Sequence, residues 1–295
     1  MVDITIELPD SFFAEEERWG YVTPAAMKQV WAVELDLLCE FDRVCKKLGL
    51  QYFLDGGTLL GAVRDGRFIP WDDDIDVIML REDYDRLTVL GPAEFKKPLF
   101  LQNAYTDTDY RRGLSQLRRS DTTFVLKREV EKRLPFNQGI CIDIFVLDGL
   151  APKDKLEQHF AEKQAVRKRI GDVARQPGHN PMTVRELFRR YDRICKRYSD
   201  SEYLDAVMFR RNTQRFVRLK REWYSKSVGI EFEGFLFPVP IRYHEVLMEM
   251  YGPEYMMPQM SPTNHGDVIW DTDIPYMETL RLLLNKEPMA MRIKG

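Results

Sequence analysis

Between residues 71 and 80 the chain reads Trp71-Asp72-Asp73-Asp74-Ile75-Asp76-Val77-Ile78-Met79-Leu80, so aspartates lead straight into an apolar run. An ionised carboxylate at the start of a buried strand is costly unless its charge is compensated. A hard divalent cation takes oxygen ligands and can compensate several at once. In an extended strand Asp72, Asp74 and Asp76 would share one face, with neighbours ~6.6 Å apart at Cα. A solvated loop leading into a helix cap is the plainer reading of three consecutive aspartates. A calcium loop of the EF-hand kind is excluded, because its sixth position would be Val77 instead of Gly and its twelfth Asp83 instead of Glu.

What favours chemistry is the segment upstream. The apolar run Tyr52-Phe53-Leu54 ends in Asp55-Gly56-Gly57-Thr58. Glycines let a backbone approach a ligand closely, and successive amides at a helix start suit a phosphate. A phosphate cradle followed by a metal-binding strand is the equipment of phosphoryl or nucleotidyl transfer. A second carboxylate anomaly supports it. Asp143 is the single charged residue in Gly139-Ile140-Cys141-Ile142-Asp143-Ile144-Phe145-Val146-Leu147. A buried Asp held by an arginine or by backbone amides would explain it, but a neighbouring strand could also bring it to the first cluster.

The chain of 295 residues suits one large domain or two small ones, and 31% charged residues describe a soluble globular protein. No apolar run approaches a membrane span, and the N-terminus has neither the basic start nor the apolar core of a secretory signal. Cys39, Cys45, Cys141 and Cys195 lack CxxC spacing and read as packed thiols of a reducing compartment, which makes zinc unlikely to be a cofactor. The net charge of −3 is uneven, with 151–222 carrying +9. Solvated helix faces explain most of that surplus; an anionic glycan or membrane surface is the functional alternative.

Periodicity predicts a long helix capped at Thr23-Pro24, with Val30, Val33, Leu37, Phe41, Val44 and Leu48 on its buried face, stopped by Gly49. Strands are expected at Gln51–Leu54, Ile75–Leu80, Leu99–Gln102 and Gly139–Leu147. Helices are expected at Thr58–Asp65 and Glu82–Leu90. Leu114–Val125 reads as a strand or hairpin that brings arginines toward the site. The spans Lys153–Arg175, Thr183–Tyr198 and Ser201–Arg221 read as helices. Phe232–Pro240 is hairpin-like, Arg242–Tyr251 helical, and the tail from Pro258 loop-rich. The expected division is a catalytic core over 1–150, a helical subdomain over 151–222, and a strand and loop segment over 223–295 that packs back on the core.

The stretch DGGTLLGAVRDGRFIPWDDDIDVIMLREDYDRL resembles the signature of LicD-type phosphotransferases, a family of bacterial phosphocholine transferases related to fukutin and fukutin-related ribitol-phosphate transferases. GICIDIFVLDG, FEGFLFPVP and YGPEYMMP agree with it. The resemblance implies an α/β fold of the nucleotidyltransferase kind, a mixed sheet flanked by helices. It implies a Mg²⁺ or Mn²⁺ cofactor on Asp74, Asp76 and Asp143, and a CDP-linked donor, CDP-choline or a CDP-alditol. CMP would leave and a glycan hydroxyl would be modified, as in lipopolysaccharide or teichoic acid synthesis. The acceptor could be lipid-linked, with the enzyme cytoplasmic and peripheral to the membrane. Asp143 completes the metal site or accepts the acceptor's proton.

Around that set, Gly56, Gly57 and Thr58 are the candidate phosphate cradle, with Arg64 and Arg118 as further phosphate contacts, each with a bland reading as an ion-pair or surface residue. Asp72, Asp55, Glu233 and His265 are outer candidates. Asp72 is a supporting hydrogen-bond partner or the base, Glu233 a substrate contact or a brace, and His265 a surface residue or part of a loop over the site. Tyr52, Trp71 and Tyr84 could face a quaternary ammonium, although aromatics beside strands are more often core. Two rivals stay open: a true nucleotidyltransferase that releases pyrophosphate, and a non-catalytic glycan-binding member. A nucleic-acid partner is not expected, since the basic surplus comes with no recognition motif.

Overall fold

The computed structural model describes residues 1–206, 217–260 and 267–285, and the backbone of 292–293. A short hairpin, β1 (Glu16–Arg18) and β2 (Tyr21–Thr23), leads into α1 (Ala25–Leu48). Pro24 is the N-cap, and the Thr23 hydroxyl donates to Pro70 O (2.9 Å) instead of capping the helix. Gly49 closes the helix in the left-handed region (φ 61°), which costs a glycine little. Burial on α1 exceeds the one-face expectation: Val30, Trp31, Ala32, Val33 and Leu35 are all fully buried. One side packs on the sheet, and the N-terminal segment crosses the other, pinned where Asp36 Oδ1 accepts from Thr5 N (2.7 Å).

The central sheet is built from β3 (Phe53–Leu54), β4 (Asp76–Leu80), β5 (Leu99–Gln102), β6 (Ser115–Arg119) and β8 (Ile140–Gly149). Between β3 and β4 runs α2 (Gly56–Asp65); α3 (Arg81–Leu90) follows β4, and β7 (Thr123–Leu126) precedes β8. The order is β3–β4–β8–β6–β5, with β4 and β8 parallel and the other pairs antiparallel. Apolar residues on both faces, such as Val77, Ile78, Ile142 and Ile144, explain why β4 and β8 sit in the middle.

Three expectations change. Residues 114–125 are not a hairpin: β6 pairs with β5 and β8, whereas β7 turns away and pairs with β13 (Val268–Asp271). The expected third helix, 201–221, is replaced where it is described by two short strands, and Arg221 opens a 3-10 turn. Here β9 (Tyr203–Ala206) takes the free edge of β8 beyond β6, at Leu147–Gly149, and β10 (Leu219–Lys220) pairs with β9. Residues 207–216 lie outside the described residues. The described part of the tail is more than loop, since α7 (Tyr276–Asn285) follows β13, and β14 (Arg292–Ile293) extends the small sheet.

The two long helices α4 (Leu156–Ala174) and α5 (Pro181–Cys195) form as expected and share their own core of Val166, Ile170, Val184, Phe188 and Tyr191. Their arginines and lysines mostly face solvent, and buried Lys163 is paired with Asp205 of β9 (2.8 Å). The hairpin β11 (Ser227–Phe232) and β12 (Phe235–Pro240) turns at Glu233 and Gly234, both at positive φ, as a two-residue turn requires. Then α6 (Tyr243–Tyr251) follows. No helix among the described residues is long and apolar enough to cross a membrane.

Candidate active site

One row across the sheet carries the site. Leu54 pairs with Val77, so Asp55 falls beside Asp76 and donates its amide to Asp76 O (3.0 Å). Asp76 lies opposite Asp143 in the parallel β4–β8 pair. Adjacent strands are about 4.8 Å apart, so these side chains are immediate neighbours on one face. Burial first, then the charges of Asp74, Asp143, Asp55 and Asp72, pushes the Asp76 carboxyl well above the usual carboxylate range. Asp55, buried at the N-cap of α2, is pushed up to about 7 by burial, against the lowering effect of the Gly56 amide.

Asp72, Asp73 and Asp74 differ from the extended-strand expectation. They precede β4 in a loop, and one carboxylate oxygen from each lies within 4.8 Å of the others. Asp73 is the buried member, and Asp72 and Asp74 are partly exposed. The glycine turn explains how they fit. Gly56 has φ +54°, and a Cβ there would sit 2.7 Å from Asp76 Oδ2; a Cβ on Gly57 would overlap Asp72 Oδ2. The turn therefore brings carboxylates against the N-terminus of α2, whose amides and dipole favour negative charge. Thr58 is buried, and its hydroxyl accepts from Asp76 N (2.9 Å), which ties α2 to β4.

Other predicted residues lie elsewhere. Arg118 is 2% exposed, and its nitrogens donate to Gln102, Gly139 O and Gln116, so it cannot reach a phosphate from there. Its place in the strand, two residues beyond Gln116, puts its side chain under the carboxylate row. Arg64 pairs with Asp65 (3.0 Å) and stacks over Trp19 (4.5 Å). Glu233 braces: its Oε1 accepts from Phe68 N (2.9 Å), and its amide donates to Gly66 O (2.8 Å). His265 lies outside the described residues. The suggested ammonium face also separates. Tyr52 is buried and bonded to Asp42 (3.0 Å), and Tyr84 is buried and bonded to Ser115 (2.9 Å). Trp71 remains near Asp72 and meets Trp19 (6.0 Å) and Tyr21 (6.1 Å) of the first hairpin.

Three positions went unnoticed in the sequence. Gln116, opposite Asp143, donates Nε2 to its Oδ1 (2.5 Å). Half-buried Arg112, paired with Glu129 (3.4 Å), is within electrostatic reach of Asp143. Tyr251, at the end of α6, is an exposed residue, yet its hydroxyl is raised by the protein around it and then by Asp55, Asp72, Asp76 and Asp74, which puts it within electrostatic reach of the cluster. Tyr251 opens YGPEYMMP, a segment that had suggested only resemblance. Gln116 had a fainter signal, a polar residue alternating with Leu117 in a strand.

The carboxylates that lie close enough together to hold one ion are those of Asp72, Asp73 and Asp74, an all-oxygen donor set of the kind that Mg²⁺ or Mn²⁺ takes, with Asp76 and Asp143 beside it in the strands. The crowding of like charges that raises Asp76 is what a divalent cation would relieve, so the residues fit such an ion.

Residues 49–132 match the family described as LicD/FKTN/FKRP, nucleotidyltransferase domain. Over that span the chain is similar to a LicD-family domain. It is 24% identical over 250 residues to the lipopolysaccharide cholinephosphotransferase LicD of Haemophilus influenzae, covering 79% of this chain and 92% of that protein. It is 45% identical over 51 residues to the ribitol 5-phosphate transferase FKRP of Homo sapiens, but this covers 17% of this chain and 10% of FKRP. The LicD-family match contains the glycine turn and the aspartate cluster and ends before Asp143, which β8 supplies from outside it.

Proposed function

We propose that this chain transfers phosphocholine or another phospho-alcohol, ribitol or glycerol phosphate, from a CDP-linked donor to a hydroxyl of a cell-surface glycan and releases CMP. The observation that carries the reading is the side-by-side placement of Asp76 and Asp143 beside the Asp72–Asp74 cluster at the glycine turn. The cholinephosphotransferase and ribitol phosphate transferase relatives support a phospho-alcohol as the transferred group.

Asp74, Asp76 and Asp143 would hold Mg²⁺ or Mn²⁺, which when bound neutralises charge on the pyrophosphate and the departing CMP. The amides of Gly56, Gly57 and Thr58 face the donor phosphates from the start of α2. The acceptor oxygen forms a bond to the distal phosphorus as the bond to the bridging oxygen of CMP breaks, its electron pair leaving with CMP. The hydroxyl proton passes to a carboxylate. Asp72, partly exposed in front of Gly57 and outside the Asp76–Asp143 row, takes that role. Trp71, with Trp19 and Tyr21, offers aromatic faces beside Asp72 for a quaternary ammonium. A lipid-linked acceptor and peripheral contact with the cytoplasmic face of a membrane belong to the same proposal.

The test is product analysis with Mg²⁺, acceptor glycan and CDP-choline, CDP-ribitol or CDP-glycerol side by side. CMP formed with one donor, together with a glycan gaining that phospho-alcohol, is the expected result. Pyrophosphate from a nucleoside triphosphate, with no CMP from any CDP-linked donor, would overturn it in favour of nucleotidyl transfer.

A further inference from the structure

The carboxylate row does not stop at Asp143. Across β6 and β5 it continues as Gln116, opposite Asp143, and Gln102, opposite Gln116. Both amides are buried, at 1% and 0% exposure. One rung along the same face sits Arg118, opposite Cys141 and Phe100. Its Nε donates to Gln102 Oε1 (2.5 Å), Nη1 to Gly139 O (2.5 Å) and Nη2 to Gln116 Oε1 (2.6 Å). Each of these acceptors is neutral. A buried guanidinium hydrogen-bonded only to neutral groups is expensive unless a negative charge lies close by.

The hydrogen bonds give the Gln116 amide one orientation. Its Oε1 receives both Arg118 Nη2 and the Tyr110 hydroxyl (2.9 Å). An oxygen with two donors is the carbonyl end of the amide, so Nε2 is the end that meets Asp143 Oδ1. The Cys141 thiol also points at Oδ1 (3.9 Å), a weak contact. Among the described residues both contacts to the Asp143 carboxylate fall on Oδ1. No hydrogen bond from the described residues reaches Oδ2.

We propose that Gln116 and Arg118 are positioning residues for Asp143: Arg118 orients the Gln116 amide, and Gln116 holds Asp143 Oδ1 so that Oδ2 is presented beside Asp76. This rests on the reading of Asp143 as a metal-binding carboxylate. Arg118 supplies through a neutral amide the positive charge that steadies a row of carboxylates, without forming an ion pair that would compete with the metal for Asp143. Outer partners that orient metal ligands typically contribute 10–100-fold in metal affinity.

The experiment is Mn²⁺ titration of the full chain by electron paramagnetic resonance, with no donor and no acceptor. The proteins are wild type, Gln116→Leu, Gln116→Met, Arg118→Met, Arg118→Lys, Asp143→Asn and the double variant Gln116→Leu/Asp143→Asn. Thermal unfolding of each is recorded in parallel. Gln116→Leu and Gln116→Met should weaken Mn²⁺ binding about 10–100-fold. Arg118→Met should follow in the same direction, and Arg118→Lys should recover part of the loss. In the Asp143→Asn background, Gln116→Leu should change the Mn²⁺ affinity less than about twofold, because the group it positions is gone. An unchanged affinity in folded Gln116→Met overturns the proposal, as does an equal loss with and without Asp143. A folded Asp143→Asn that binds Mn²⁺ like wild type would instead remove the metal reading on which the proposal rests.

Discussion

A methyl group on Gly57 would overlap the Asp72 carboxylate, so Gly57→Ala must displace that side chain or the turn itself. Misplacement of a reacting group by about 1 Å can cost on the order of 10²-fold in rate. Gly57→Ala should therefore lose about 100-fold in CMP release while its unfolding temperature moves by only a few degrees. Full activity in this variant would remove Asp72 from the site. Asp76 tests the opposite corner of the same crowding. Its charged form is opposed by burial and by four neighbouring carboxylates. Asp76→Asn removes one charge at their centre, so the metal-free protein should melt higher at pH 8 while transfer is abolished. A functional site that holds such like-charge strain trades stability for activity. A lower melting temperature for metal-free Asp76→Asn would mean that some unrecognised group compensates the charge.

At the scale of elements, the β11–β12 hairpin is fastened to the loop after α2 through Glu233, which accepts the buried Phe68 amide. Glu233→Ala leaves that amide without its partner, at a cost of about 1–3 kcal/mol. Glu233→Gln keeps an acceptor and should cost much less; chemical denaturation of the two variants measures the difference. Equal losses would show that the charge matters more than the hydrogen bond. The sequence revealed elements whose periodicity was strong and local. The run around Asp143 could only be a buried strand, and Gly49 and Gly91 mark helix ends where the structure has them. It did not reveal pairings decided at long range. Nothing local tells β7 to leave β6 for β13, or tells Tyr203–Ala206 to complete the edge of β8. The same limit divided the site. That Asp76 and Asp143 would lie side by side was legible, because charge in an apolar run needs an explanation at each position separately. The phosphate reading of Arg118 failed because its hydrogen-bond partners Gln102 and Gln116 meet it only once the strands pair. Tyr251 went unseen because its relation to the aspartates spans most of the chain.

For the molecule as a whole, the buried carboxylates predict an unusual dependence of stability on pH. Asp55 is raised to about 7 in the folded protein from 3.8, chiefly by burial, and Asp76 is raised too. Asp192 and Glu233 shift in the same direction, again chiefly by burial. Groups with raised folded values bind more protons in the folded than in the unfolded state across the interval between the two values. Their contribution is fully present below the unfolded value and is lost as pH rises through the folded one, at up to about 1.4 kcal/mol per pH unit for each group. The lowered carboxyls of Glu16 and Glu162 act below 4.5, outside this window. Within it the two shifted histidines oppose each other: His159 is lowered by burial, and His179 is raised by its hydrogen bond to Asp109. Metal-free protein should therefore lose melting temperature steadily from pH 5 to pH 7. Asp55→Asn should flatten part of the slope. Saturating Mn²⁺ should add most stability at the alkaline end, because a cation binds the deprotonated cluster and thereby stabilises the folded state. Calorimetric scans at half-unit intervals, with and without Mn²⁺, measure all three effects. A metal-free melting temperature that rises between pH 5 and pH 7 would mean that the carboxylates are compensated within the protein, and the cluster would then have no physical need of a cation.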